Sequence, residues 1–268
     1  MASEFFVHPK KSLGQHFLTD ANIARKIASS LTAYGNYRNV LEIGPGTGML
    51  SRYLMEKKEF CWFGIEVDQA SISYLHRNYP AYKDQVMEAD FLKFPLHEFA
   101  GEEQVALIGN FPYNISTQIM FRMLAFRELV PEMVGMFQKE VARRIASPPG
   151  SKEYGILSVL VQAFYDVELL FNVDPGVFMP PPKVQSSVIR CRRKKNHQLN
   201  CDEKLFFTVV KTAFNQRRKT LRNSLRSLKV YWEDLPPEMK GKRPEQLQVK
   251  DFVEITRQVQ PVQHRDNH

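Results

Sequence analysis

An apolar run, VALI (105–108), leads into GNFPYNIS (109–116). Asn110, Phe111, Pro112 and Tyr113 bring an amide, a main-chain carbonyl, a fixed φ and a ring to the C-terminal end of a buried strand. Ligands of open parallel sheets bind at that end. The set suits the exocyclic amine of a purine. Adenine's amine is a poor nucleophile because its lone pair is delocalised into the ring. Hydrogen bonds accepted by the Asn110 side-chain oxygen and the Phe111 carbonyl draw it toward tetrahedral geometry. Pro112 fixes the aim of that carbonyl, and Tyr113 stacks on the base, a contact of about 1–3 kcal/mol. A carbon carried on a sulfonium needs no strong general base, so positioning and charge complementarity supply the catalysis. Taken by itself the stretch is equally an ordinary turn. Its place after the strand that follows Asp90 selects the functional reading.

A second set lies upstream. The first predicted strand runs into LEIGPGTGML, with Glu42, Gly44, Gly46 and Gly48 at alternate positions. Glycines there allow a tight turn and close approach of a ligand to the main chain. The dinucleotide pattern G-x-G-x-x-G fails, because Met49 stands where its third glycine would fall, and no Gly-Lys-Ser/Thr follows. Pro45 has no amide to offer a pyrophosphate. The loop therefore suits a nucleoside better than a diphosphate. Glu66 closes the second strand, where a carboxylate accepts hydrogen bonds from ribose hydroxyls, and Asp90 closes the third, where it meets an adenine edge. The plain alternative is a tight turn with two solvated strand-end acids.

The elements that must hold these residues are legible as alternation. Short apolar runs at 39–44, 60–67, 86–89, 105–110 and 133–137 are separated by helix-compatible stretches such as 49–58 and 71–79. That pattern predicts a parallel sheet covered on both faces, an α/β fold. Two further runs, 167–173 and 186–192, have too short a loop between them for a helical crossover and are expected to pair antiparallel. Thr19 and Asp20 precede Ile23, Ile27 and Leu31, which predicts a capped helix. After RRKKNHQLNC (192–201) the strand signals stop, and residues 203–229 and 244–259 read as helical. The expected domains are 1–195 and a small helical 196–268.

Composition narrows the partners. There are 37 basic against 29 acidic residues, a net charge of +8, which favours a polyanion. Three cysteines without a C-x-x-C pair, and histidines without ligand spacing, point away from disulfides and a metal. The N-terminus lacks a signal-peptide apolar run, and no segment is long enough to span a bilayer, so a cytoplasmic protein away from membranes is expected. Lys211, Asn215, Arg218, Arg222, Arg226 and Lys229 form a stripe beside an apolar one at helical spacing, suited to phosphates unless a break near Gln216 splits it. Lys183, within PPPKV, either touches phosphate or sits in a loop stiffened by its prolines.

The glycine loop and GNFPYNIS, with SLGQHFLTD (12–20), FMPPPKVQSSV (178–188) and TAFNQRRKTLRNSL (212–225), resemble the KsgA/RsmA family of small-subunit ribosomal RNA adenine dimethyltransferases. The likeness runs from about residue 8 to 260, five separated motifs in one order. It implies a Rossmann-like class I methyltransferase sheet with a C-terminal helical domain, and S-adenosyl-L-methionine as donor without a metal. The implied product is N6-dimethylated adenine at two adjacent positions near the 3′ end of the RNA, in an assembling 30S-type particle, made by a monomer. It also implies that His16 and Leu18 close over the cofactor and that Gly44 is the loop contact. Glu66 then holds the ribose, Asp90 the adenine, Asn110 the methionine end and the target amine, and Phe178 stacks on the target base opposite Tyr113. The family usually has Asn where His16 stands and Leu where Phe111 stands. Alternatives are a resistance-type enzyme acting on large-subunit RNA, a non-catalytic assembly or transcription factor, and a DNA adenine methyltransferase. The triple proline and FNQRRKT favour the small subunit.

Overall fold

The computed structural model describes residues 7–260. Its strands are β1 (Phe17–Leu18), β2 (Asn39–Ile43), β3 (Cys61–Glu66), β4 (Val86–Glu88), β5 (Val105–Asn110), β6 (Glu132–Gln138), β7 (Tyr165–Val173), β8 (Phe178–Met179) and β9 (Ser186–Arg193). Seven form one sheet in the order β4-β3-β2-β5-β6-β9-β7, while β1 and β8 pair as a separate ribbon. The pairs β2/β3, β2/β5, β3/β4 and β5/β6 are parallel, and β6/β9 is antiparallel. The side-chain bonds Ser187 to Asn172 and Arg190 to Glu168 run in opposite chain directions, so β9 and β7 are antiparallel neighbours as well.

Burial explains why the inner strands are parallel. Val40 through Ile43 and Val105 through Gly109 are buried residue after residue, as strands covered on both faces must be. On one face Ala24 and Ile27 of the helix Ala21–Ala28 pack in a cluster with Val40, Ile108 and Val134. Asp20 starts that helix by accepting from the amides of Asn22 and Ile23 at 2.8 and 2.9 Å, the cap that its sequence predicts. The strand order reverses at β2, with β3 on one side and β5 on the other. The crevice beyond the C-termini of such strands is where ligands bind.

The chain forms two compact units. One holds the chain up to Ala142 with Asp166–Lys194; the second holds Arg143–Tyr165 with the chain from Lys195 onward. In the second unit the helices Ile156–Phe164, Glu203–Asn215 and Val249–Arg257 share an aromatic core. Tyr154 meets Phe214 at 6.2 Å, Phe164 meets Phe207 at 6.3 Å, and Phe214 stacks on Phe252 at 5.9 Å. Those rings tie 143–165 to the later helices.

Residues 203–229 are not one helix but break near Gln216, the split that the sequence left open: the first helix ends at Asn215, and a short one, Leu221–Ser224, follows. Gln216 to Thr220 are all polar and give a helix nothing to bury. Their neighbours take other partners instead: the Leu221 amide donates to Lys242 O at 2.8 Å and Arg217 to Lys152 O at 2.6 Å. Arg218 therefore lies in the turn, Arg222 on the short helix and Arg226 beyond it, all three exposed. No helix among the described residues is long and apolar enough to cross a membrane.

Candidate active site

A cavity of about 310 Å³ opens at the switch point. Gly44, Gly46, Glu66, Asp90 and the block Asn110–Tyr113 all line it, as does a strap from Leu13 to Phe17. The volume is in the range of small-molecule sites. Gly44 has φ +70, and a Cβ there would meet only Pro112 Cδ, at 4.0 Å. Open space thus faces the main chain, space that a ligand's own atoms can fill. Gly46 serves differently: its φ is +56 and a Cβ would press on the Phe17 ring at 2.9 Å. Loop and strap touch because that position has no side chain.

Glu66 is only 5% exposed. Its Oε2 accepts from the Gly46 amide at 3.0 Å, and Oε1 from Val67 and Asp68 at 2.9 and 3.0 Å. Burial pushes its pKa above the usual carboxylate range, while the three amides pull against that rise. A carboxylate offers about four acceptor positions, so Oε2 keeps one beyond the Gly46 amide. Asp90 is half-buried, with Oδ1 taking the Leu92 amide at 2.9 Å. Behind the loop lies Glu42, fully enclosed, accepting from Trp62 Nε1 at 2.7 Å and pushed by burial up to about 7. It borders a smaller recess that Leu18 and Asn110 share.

The opening stretch is held by contacts on several sides. Asn110 Nδ2 donates to the His16 carbonyl at 2.8 Å, which fixes the amide's orientation and leaves Oδ1 as the acceptor. The Phe111 ring turns inward. It is buried against Phe137 at 5.1 Å, in a slot that exists because Gly135 has no Cβ. Its amide bonds Met136 O at 3.2 Å, and no described donor takes its carbonyl. Tyr113 is half-buried; its hydroxyl shares a 2.6 Å hydrogen bond with Ser186 Oγ, and its ring centroid is 5.4 Å from that of His16. His16 Nδ1–H donates to Pro180 O at 2.7 Å.

Some expected residues stand apart from the cavity: Leu18 borders only the smaller recess. Phe178 is 4% exposed, packed in the core cluster with Leu18, and does not line the cavity. Lys183 is exposed on the loop that follows. Conversely, Gln15 and Asn114 line the cavity without having been singled out. Just upstream of the strap, the Lys10 ammonium pairs with the buried carboxylate of Asp68 beside Glu66. Neither Lys10 nor this pairing was singled out in the sequence.

A family model described as ribosomal RNA adenine dimethylase matches residues 7–256. The chain is 54% identical over 254 residues to the ribosomal RNA small subunit methyltransferase A of Flavobacterium johnsoniae, which covers 95% of this chain and 97% of that protein. Among solved structures it is similar to a dimethyladenosine transferase from Plasmodium falciparum, with a TM-score of 0.74 and 26% identity over 90% of this chain and 96% of that one. It is also similar to the 23S rRNA methyltransferase ErmE, with a TM-score of 0.70 and 25% identity over 90% of this chain and 100% of that one.

Proposed function

Because this chain belongs to the ribosomal RNA adenine dimethylase family, we propose that it dimethylates adenine N6 in small-subunit ribosomal RNA, with S-adenosylmethionine as methyl donor. The observation that carries the reading is the anchored amide of Asn110, its Nδ2 held by His16 O at the rim of a cavity shared with Gly44, Glu66 and Asp90. Bound there, the sulfonium supplies an electrophilic methyl carbon. Glu66 holds the ribose through the remaining acceptor position of Oε2, and Asp90 reads the adenine edge. The target amine gives its hydrogens to Asn110 Oδ1 and the Phe111 carbonyl, so its lone pair is drawn out of conjugation with the ring and localised on nitrogen. Tyr113 stacks on the base, its tilt fixed by Ser186. A second stack by Phe178 requires that ring to leave its buried place.

The substrate is read as an assembling 30S-type particle met by a cytoplasmic monomer. The target base must be flipped from its neighbours to enter a cavity of this size. Relatives named for the small subunit match nearly the whole chain at about twice the identity of the large-subunit enzyme, which supports the choice of RNA. Mapping N6-dimethyladenosine in both ribosomal RNAs of a deletion strain, with and without a plasmid copy, tests it. The small-subunit marks are expected to vanish and return; an unchanged small-subunit pattern overturns the reading.

Lys183, Arg218, Arg222 and Arg226 are the proposed phosphate contacts. Each neutralised phosphate contributes about 0.7–0.9 to the slope of log affinity against log salt. Replacing Arg222 and Arg226 together by alanine is expected to lower that slope by about 1.5 for small-subunit particles and leave cofactor affinity alone. Filter binding across a salt series measures it, and an unchanged slope removes both residues from the interface.

A further inference from the structure

The strap over the cavity and the segment carrying Phe178 are one ribbon. Phe17 pairs with Met179 and Leu18 with Phe178, antiparallel. The same register sets His16 opposite Pro180, and there its Nδ1–H donates to the Pro180 carbonyl at 2.7 Å. At the other end Thr19 donates twice to Val177 O, from its amide and its hydroxyl, each at 2.9 Å. A ladder of two residue pairs is marginal alone, so the bonds at its ends decide whether it holds. His16 is the end that faces the chemistry. Its carbonyl takes the Asn110 amide at 2.8 Å and its ring lies 5.4 Å from that of Tyr113.

These contacts join two groups of residues that the functional reading assigns to different substrates. Strap residues Gln15 to Phe17 border the cofactor cavity. The opposite strand carries Phe178 and runs on toward Lys183, the two residues that the functional reading gives to the target RNA. We propose that His16 is a positioning residue that makes strap and Phe178 segment move as one, so that cofactor and target RNA each tighten the binding of the other. The inference rests on the reading above, which assigns Phe178 to the base. Phe178 must shift from its buried place to stack, and its strand cannot shift without moving the strap. Whichever substrate orders the ribbon first leaves less ordering for the second, and linkage makes the effect reciprocal.

The donor atom matters more than the imidazole. Asparagine Nδ2 lies the same number of bonds from Cα as histidine Nδ1, so His16→Asn keeps a donor for Pro180 O while His16→Ala and His16→Leu remove it. The test is equilibrium dialysis of radiolabelled S-adenosylhomocysteine against wild type, H16A, H16L and H16N, with and without methyl-free small ribosomal subunits. In the wild type, subunits are expected to tighten binding at least about fivefold, the low end of common coupling. The ratio is expected to fall to about one in H16A and H16L and to recover in H16N. Deuterium exchange on the wild type gives a reading that needs no variant: subunits alone are expected to slow exchange at residues 14–19. A ratio of one in the wild type, a ratio that survives in H16A and H16L, no recovery in H16N, or unprotected strap amides each overturns the coupling. If wild-type protein does not bind the subunits at all, the functional reading itself fails; binding with a ratio of one sinks only the coupling.

Discussion

Asn110→Ala lowers kcat for methyl transfer about 10²–10³-fold, the usual cost of deleting one preorganised polar partner of a transition state. RNA affinity stays within about threefold of wild type, because no proposed phosphate contact is touched. The two ends of this side chain have separate tasks. Nδ2 is committed to the His16 carbonyl at 2.8 Å, so Oδ1 is held as an acceptor and cannot flip to present a donor. An acceptor that gains strength only as the amine becomes tetrahedral appears in kcat more than in KM. Asn110→Asp makes the sharper comparison. It keeps an acceptor but sets a carboxylate oxygen against the His16 carbonyl, so it repels the strap as well as altering the chemistry. Single-turnover kinetics with saturating subunits separate the two effects, and S-adenosylhomocysteine binding reports the strap. The aspartate variant is expected to lose cofactor affinity that the alanine variant largely keeps. A kcat for the alanine variant within about threefold of wild type removes Asn110 from the reaction.

Much of this site was legible because it depends on backbone geometry at strand ends. Glycines at alternate positions, an acid closing each of two strands and an Asn-Phe-Pro-Tyr block each mark a C-terminal edge, and a parallel sheet gathers such edges in one crevice. What the sequence withheld depends on partners distant in the chain. The His16 imidazole finds Pro180 and Lys10 finds Asp68, pairs that no local pattern announces. The Phe111 ring shows the same limit. Its inward slot depends on Gly135, a residue of the next strand. The break within 203–229, which the sequence left open near Gln216, has a different origin. The apolar spacing is sound on both sides of Gln216, but periodicity does not register that five polar residues in succession leave one turn without anything to bury. Nor does composition change at Arg143; 143–165 joins the helical unit through the rings of Tyr154 and Phe164, through the Lys152 carbonyl that Arg217 meets, and through the Gly150 amide that donates to Glu245 O.

Glu66 is where the fold and the proposed cofactor site share the same atoms, and its substitution is expected to have the largest effect on binding. The carboxylate gathers the amides of Gly46, Val67 and Asp68, so it closes the glycine loop onto the end of β3 before any ligand arrives. Alanine leaves buried donors without an acceptor, each at a cost of about 1–3 kcal/mol, and removes the charged partner proposed for the ribose. S-adenosylhomocysteine affinity is therefore expected to fall at least about 100-fold in Glu66→Ala. Glutamine falls between, since its one oxygen serves either Gly46 or the Val67–Asp68 pair while its amide meets donors on the other side. The loss belongs to binding: kcat at saturating cofactor changes far less than the dissociation constant, because the ribose contact is equal in ground and transition states. Acidity gives an independent check. Burial holds the Glu66 pKa above the ordinary carboxylate range, and only the ionised form keeps all its acceptor positions. As pH falls through that raised value the carboxyl takes up a proton, an acceptor becomes a donor, and wild-type affinity weakens earlier than for an unperturbed glutamate. Glu66→Gln has nothing to protonate there, so its affinity, though lower, is expected to stay level over the same window. Calorimetry at several pH values reads both curves; parallel curves for the two proteins show that the ribose is held by some other group.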